Sequence, residues 1–543
     1  MAYEKYSPYN SFRAGQEKAI HDIISAFEHE KQVIELDAPT AAGKTVILYC
    51  VGRILEKEFA MENIRFTSPQ VSLIEQGNLF DLPKLVGKSN YSCEAIEGCT
   101  AAECPFSSKE EGFVSCDDCT YRMAKRKFHE AKFGATTFAR YLMDPTINGD
   151  TQVLMIDEST ELENALIERT SIDLGMDKKI PNSRNWKEVD ALLKSTNTYL
   201  ATDKARFDIT NHIERRYDEL RLLSQDLKVA CSSYRKELFN DGNGKPDDKE
   251  IKKLRRMSSD YMHVNNQAMA CGRALRYINS GVKYALVGEK EDVWNPNIGK
   301  KVPTIKTYFR LMDARLPFQD LIRDKEFVIL ASGTPTTSLL TNDYESVVMK
   351  HPIDKSRRLI HYIPVGKMNN NVKEKTAPLM AEKIKFLHDL YSRKTLVHCG
   401  SYAVAELLSE HLYHLHRNII LQDRTDREGS LLHWQRLDDA IFLSVRYEEG
   451  LSLDGPEYPM NVIAKAPFMN PYDAYVEQRN AYDNKKWYNL SLATLVQQAC
   501  GRATRSPDDY SETYILDESF GWFYRSFNYL FADWFKEAFI WGR

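Results

Sequence analysis

Short apolar runs alternate with longer amphipathic stretches over much of the chain, a pattern that predicts parallel strands joined by helices. Val33-Ile34-Glu35-Leu36-Asp37 reads as a buried strand, with a helix before it to about Phe27 and another after it over 46–55. Residues 64–70 read as a strand running into a turn, followed by a helix carrying Leu73 and Gln76. A further buried strand covers 152–156 and ends in Asp157 and Glu158. From 161 to about 303 the pattern turns helical and polar, with long amphipathic helices over 201–276 broken at 241–247. Alternation returns at 327–331 and continues as a second α/β unit: a strand at 395–399, a helix at 403–415, then strands at 440–444 and 461–464.

A length of 543 residues predicts several domains. With 43% hydrophobic and 28% charged residues, the composition is that of a globular, soluble chain. No apolar run approaches the length of a membrane span, and Met1-Ala2-Tyr3-Glu4-Lys5 does not read as a signal peptide. A cytoplasmic protein of a prokaryotic cell or virus-infected host is expected. The net charge of −4 means that any nucleic-acid surface must be local. Five of the ten cysteines fall between Cys93 and Cys119. In a large chain without a secretory signal, such a cluster points to a metal site rather than to disulfides.

The candidate chemistry begins at Ala38-Pro39-Thr40-Ala41-Ala42-Gly43-Lys44-Thr45, set between strand and helix as a P-loop requires. Backbone N–H groups of Ala41, Ala42 and Gly43 and the helix N-terminus suit phosphates, Lys44 suits the β/γ pair, and Thr45 suits Mg²⁺. Ala38 stands where the shortest form of the motif has Gly. Gln16 is placed either to read an adenine edge or to be solvated. Thr67 and Ser68 suit a phosphate backbone, with a plain helix cap by Ser68 as the alternative. Asp157 and Glu158, closing a buried strand, suit Mg²⁺ and the orientation of water. Cys93, Cys99, Cys104, Cys116 and Cys119 offer five thiols where zinc or a [4Fe–4S] cluster takes four. After them Tyr121-Arg122-Met123-Ala124-Lys125-Arg126-Lys127-Phe128 predicts a basic helix with interleaved aromatics, suited to nucleic acid. On a helix, Gln498, Arg502 and Arg505 share a face, and paired arginines can stabilise a γ-phosphate across a cleft. The break at Asp241-Gly242-Asn243-Gly244-Lys245 reads as a turn, because Lys245 occupies an expected calcium-ligand position.

Taken in order, these segments resemble the superfamily 2 helicases, and within them the XPD/DinG group of iron–sulfur helicases. Arg13 and Gln16 match the nucleotide-proximal Gln motif, and Lys44 and Thr45 match motif I. Thr67 to Gln70 look like motif Ia, Asp157 and Glu158 like motif II, and Ser332-Gly333-Thr334 like motif III. Ser401-Tyr402 sits in motif IV. Glu449, Gly450 and Asp454 look like motif V, and Gln498, Gly501, Arg502 and Arg505 like motif VI. Two departures stand out: Ser159-Thr160 replace the Ala-His that closes motif II, and Gly333 replaces Ala. Loss of that His puts the coupling of hydrolysis to motif VI in question.

The resemblance implies two RecA-like domains with ATP and Mg²⁺ in the cleft between them. It also implies a [4Fe–4S] cluster on Cys93, Cys99, Cys104 and Cys119, with Cys116 as the alternative ligand. The expected boundaries are 1–86, 133–165 and 312–345 for the first domain and 346–543 for the second. An iron–sulfur insertion is expected at 87–132 and a helical arch at 166–311. The activity implied is an ATP-dependent 5′-to-3′ helicase on single-stranded or forked DNA, with no membrane partner. An ATP-gated nucleic-acid clamp that separates no strands is the alternative.

Overall fold

The computed structural model describes residues 3–69, 71, 74, 81–92, 100–102, 119–174, 203–240, 247–295, 300–391, 394–445, 460–501 and 509–542. A first parallel sheet is built from β1 (Val33–Asp37), β2 (Ile64–Ser68), β3 (Lys84–Leu85), β4 (Phe133–Thr137) and β5 (Val153–Asp157). Two strands from much later in the chain, β9 (Phe327–Ser332) and β10 (Glu345–Val348), complete it. Its order is β10-β1-β9-β5-β2-β4-β3, so β1 and β5 flank the same strand, β9. Apolar residues of β5 and β9 point to both faces of the sheet, which is why these two strands read as near-continuous apolar runs. Leu154, Ile156, Val328 and Leu330 feed one core, while Val153, Met155, Ile34, Leu36 and Ile329 feed the other.

A second parallel sheet contains β11 (Ile360–Gly366), β12 (Thr395–His398), β13 (Ile419–Leu421), β14 (Ile441–Ser444), β15 (Met460–Ile463), β16 (Glu512–Asp517) and β17 (Phe539–Trp541). Its order is β13-β14-β12-β15-β16-β11-β17. Val397, Leu443 and Val462 pack on one side of it, Ile463, Ile515 and Ile360 on the other. The fold is therefore two parallel-sheet α/β domains, as the alternation predicted, and of the RecA-like kind that the resemblance implied. The first sheet runs further than expected: β10 pairs with β1 through Val348, beyond the boundary expected at 345.

Between β5 and β9 rise two long helices, Asp203–Asn240 and Asp248–Asn279. The second starts on a reciprocal cap: Glu250 N–H donates to Asp247 Oδ1 (2.8 Å) and Asp247 N–H to Glu250 Oε2 (2.9 Å). The span expected as a helical arch, 166–311, carries a sheet besides these helices: β6 (Ile172–Asp173) before them and β7 (Tyr284–Asn295) and β8 (Lys300–Leu311) after them form three antiparallel strands in the order β6-β8-β7. β8 carries Val302, Thr304, Ile305, Thr307, Tyr308 and Phe309, residues that suit a pleated surface, but the charged residues among them blur the alternation. No helix among the described residues is long and apolar enough to cross a membrane.

Candidate functional site

The P-loop leaves the end of β1 and turns into the helix Lys44–Glu58. Ala41 (φ 67°) and Gly43 (φ 76°) adopt the left-handed conformation, which turns successive backbone N–H groups toward one concavity. Glycine at 43 has a second cause: a Cβ there would lie 2.4 Å from Gln16 Nε2. Gln16 is buried, so the solvated reading of it does not hold. Its Nε2 donates to the Ala42 carbonyl (2.8 Å), while its Oε1 accepts from Arg13 N–H (2.8 Å). Arg13 Nη1 donates to the Ala41 carbonyl (2.7 Å). The pair braces the loop from behind, with the Gln16 amide already engaged.

Directly across from the loop, β5 delivers the two carboxylates. Thr45 Oγ1 donates to Asp157 Oδ2 (3.0 Å), and Lys44 Nζ stands 3.3 Å from Glu158 Oε1. Glu158 itself adopts a left-handed conformation (φ 53°), and its N–H donates to Asp157 Oδ1 (3.0 Å). Burial, with Glu158 alongside, pushes the Asp157 carboxyl up to about 6, against the pull of Lys44 and the Thr45 hydroxyl. Burial and nearby Glu35 likewise push Asp37, at the mouth of the loop, up to about 7. A buried Asp157 carboxyl crowded by Glu158 beside the Thr45 hydroxyl is a donor set that a hard divalent cation relieves. Thr40 Oγ1 is buried and finds no hydrogen-bond partner, a free polar group on the loop that would hold phosphate.

Motif III closes the floor. Ser332 ends β9, and its carbonyl accepts from Ala38 N–H (2.9 Å). A Cβ on Gly333 would lie 3.3 Å from the Ala38 carbonyl oxygen, so the departure to glycine relieves a tight contact with the P-loop. From the second domain, the helix Lys486–Cys500 brings Gln498, whose Nε2 donates to Thr334 Oγ1 (3.4 Å). A Cβ on Gly501 would lie 3.1 Å from Thr40 Oγ1, so the end of this helix abuts the P-loop.

Other expected residues fall elsewhere. Thr67 and Ser68 are buried in a central strand, Thr67 Oγ1 donating to the Met155 carbonyl (3.2 Å), and neither offers a surface to a phosphate backbone. Ser401 caps the helix Tyr402–Leu412. Cys119 precedes the helix Thr120–Glu130 and is half-buried. In that helix Tyr121 and Phe128 are buried in the core, so its interleaved aromatics serve packing, whereas Arg126 and Lys127 are exposed. Gln70, Cys93, Cys99, Cys104, Cys116, Glu449, Gly450, Asp454, Arg502 and Arg505 lie outside the described residues. Two features escaped the sequence: Thr160 as a bridge to motif III, and a buried ion pair between Glu163 and Arg479 that joins the domains. Neither has a periodic signature.

Comparisons with known proteins agree with this architecture. Residues 10–190 match the family described as type III restriction enzyme, res subunit, and residues 385–538 match the Helicase C-terminal domain. The chain is similar in structure to Xpd4 of S. tokodaii, at 15% identity and a TM-score of 0.54, covering 98% of this chain and 100% of that one. An XPD helicase structure gives 14% identity and a TM-score of 0.57 over 98% and 100% of the two chains. No curated protein matches the chain in sequence. The chain has the fold of the XPD-type superfamily 2 helicases.

Proposed function

We propose that the chain is an ATP hydrolase that couples turnover to 5′-to-3′ movement along single-stranded DNA and to strand separation at forks. One observation carries the reading. Lys44 faces Glu158 at 3.3 Å and Thr45 faces Asp157 at 3.0 Å, while Gln498 of the other domain reaches the same floor.

In this reading Lys44 holds the β/γ-phosphates, aided by the N–H groups of Ala41, Ala42 and Gly43. Mg²⁺, held through Thr45 and Asp157, would supply neutralisation of phosphate charge. Glu158 orients the attacking water once phosphate draws Lys44 away from it. Arg502 and Arg505 act on the developing γ-phosphate charge from the second domain. Asp454 completes the nucleotide site, and Arg13 and Gln16 keep the loop in shape. Closing and reopening of the cleft would move the two domains along the strand. The thiols of Cys93, Cys99, Cys104 and Cys119 would hold a [4Fe–4S] cluster, with Cys116 the alternative ligand; that assignment rests on the sequence pattern and on the fold.

The test is ATP turnover with and without single-stranded DNA, beside strand displacement on 5′-tailed forks. Turnover should rise with DNA and forks should open. Glu158→Gln should bind ATP and stop hydrolysis, and wild-type turnover in that variant overturns the site. Hydrolysis without displacement would leave the ATP-gated clamp as the function.

A further inference from the structure

At the far edge of the second sheet, where β12, β13 and β14 begin, two histidines and a carboxylate converge. His388 comes from the last turn of the helix Lys373–Tyr391, His416 from the segment between the helix Tyr402–Leu412 and β13, and Asp439 from the segment entering β14. His388 Nε2 lies 2.8 Å from Asp439 Oδ1, His416 Nε2 lies 4.0 Å from the same oxygen, and the three ligand atoms fall within 4.8 Å of one another. We propose that His388, His416 and Asp439 form a divalent-cation site, best suited to zinc, with its fourth position open to solvent.

Three observations support it. The His416 side chain is only 10% exposed, and its Nε2 is buried without a hydrogen-bond partner, aimed at Asp439. A nitrogen in that position loses water on folding and gains nothing in return unless a ligand meets it. Second, His388 Nδ1 lies 2.7 Å from Thr395 Oγ1. With that hydroxyl accepting, the proton sits on Nδ1, and the Nε2 lone pair points into the cluster, the tautomer that a metal requires. Third, the backbone presenting Asp439 is fixed. Asn418 Nδ2 donates to the Asp439 carbonyl (2.8 Å), and Ile441 N–H donates to the Asn418 carbonyl (3.0 Å).

Tetrahedral zinc with bonds of about 2.0 Å to nitrogen and oxygen sets its ligand atoms roughly 3.3 Å apart. The cluster reaches that spacing by a modest turn of the Asp439 side chain, which is 53% exposed and free to move. Two imidazoles and one carboxylate favour zinc over calcium or magnesium, which prefer oxygen. The P-loop faces the opposite, C-terminal edge of its own sheet, and motif IV follows the C-terminal end of β12. The metal is thus remote from nucleotide chemistry. Its effect would be to tie two helix ends and a strand entry into one body.

The experiment uses the full chain and Co²⁺ as the probe. Cobalt on nitrogen and oxygen ligands gives visible d–d absorption without the near-ultraviolet charge transfer that thiolates produce, so the cysteine-rich segment does not confuse the reading. Wild-type protein should take up one equivalent of the non-thiolate species, displaceable by Zn²⁺, and zinc should raise the thermal midpoint. Asp439→Asn alters an exposed side chain and should fold, yet weaken uptake by more than tenfold. Thr395→Val, which removes the hydroxyl behind His388, should weaken it by about tenfold or more. Should wild type show only thiolate-type cobalt, or should Asp439→Asn keep full non-thiolate uptake, the site is not a metal site and the contacts are hydrogen bonds alone. Neither result bears on ATP turnover, so this proposal and the proposed helicase activity stand or fall separately.

Discussion

Thr160 Oγ1 lies 2.6 Å from Ser332 Oγ, and this hydroxyl contact joins the carboxylate strand to motif III. Thr160 Oγ1 also donates to the Thr334 carbonyl (3.1 Å), and Ser332 Oγ accepts from Thr334 N–H (3.0 Å). Thr334 in turn takes the Gln498 amide of the second domain. The residue that stands where the family has a histidine in motif II is therefore joined through Ser332 and Thr334 to Gln498, a hydrogen-bonded path that uses two further hydroxyls.

Thr160→Ala should cut this path without touching the P-loop. One hydroxyl contact contributes about 1 kcal/mol, so a several-fold drop in DNA-stimulated turnover is expected, with ATP affinity near wild type. Thr160→Ser should restore most of it. Stimulation unchanged in Thr160→Ala would mean that the contact is only structural.

How much of this was legible turns on burial. The strands 33–37, 152–156 and 327–331 announced themselves because both faces of the first sheet are covered and most of their positions are apolar. The acid pair and the P-loop followed from where those runs stop. The bracing contact of Gln16 was not legible because a sequence shows that an amide is present, not that it is buried against loop carbonyls. Thr67 and Ser68 misled for the same reason: a hydroxyl in a covered central strand looks no different from one on a turn. β16 and β17 went unread; Glu512–Asp517 mixes polar and apolar residues and follows a segment dominated by the motif VI pattern. The Glu163–Arg479 pair is invisible in principle, since 316 residues separate its partners.

Gln16→Ala tests the brace behind the P-loop. The substitution leaves the buried Ala42 carbonyl without its donor, a loss of roughly 1–3 kcal/mol. Because Gln16 shapes the loop, the expected result is a higher KM for ATP, on the order of tenfold or more, with a smaller change in kcat. Gln16→Glu should be as damaging, since a carboxylate cannot donate to that carbonyl. A variant with unchanged KM would return Gln16 to a passive role.

The acid limb of activity should report Asp157. Its carboxyl is raised to about 6 in the nucleotide-free protein, so below that pH it is protonated and cannot take Mg²⁺. kcat/KM for Mg-ATP should fall by up to tenfold per pH unit below about 6. Thr45→Ala removes a donor that favours the ionised form, so the limb should move to higher pH, and Thr45→Ser should hold it in place. Stability of the nucleotide-free protein has the opposite sign. Folded Asp157 and Asp37 keep protons that the unfolded chain releases near pH 4. Their contribution is therefore greatest below about pH 4 and declines as pH rises toward 7. Denaturation measured across that range, with and without Mg-ATP, checks both signs.

The ion pair between Glu163 and Arg479 should decide how firmly the two domains dock. Arg479 Nη2 lies 2.5 Å from Glu163 Oε1, with the side chains 2% and 6% exposed, and the guanidinium also lies over the Trp487 ring at 5.1 Å. Beside it Tyr475 OH donates to the Leu311 carbonyl (2.8 Å), and Gln478 Nε2 donates to the Leu286 carbonyl (3.1 Å), so the helix Ala474–Asp483 is held against β7 and β8. A buried pair adds little net stability, but removing one member strands the other, at about 3–5 kcal/mol. Arg479→Met should therefore lower the thermal midpoint or split it into two transitions, and should depress ATP turnover because the proposed mechanism needs the second domain to supply Arg502 and Arg505. Burial already holds the Glu163 carboxyl above its usual range while Arg479 opposes this, so without Arg479 it takes up a proton more readily and the defect should shrink as pH falls. The double variant Glu163→Leu with Arg479→Met removes both charges and should recover most of the midpoint. If Arg479→Met keeps a single wild-type transition and full turnover, the pair does not hold the domains together.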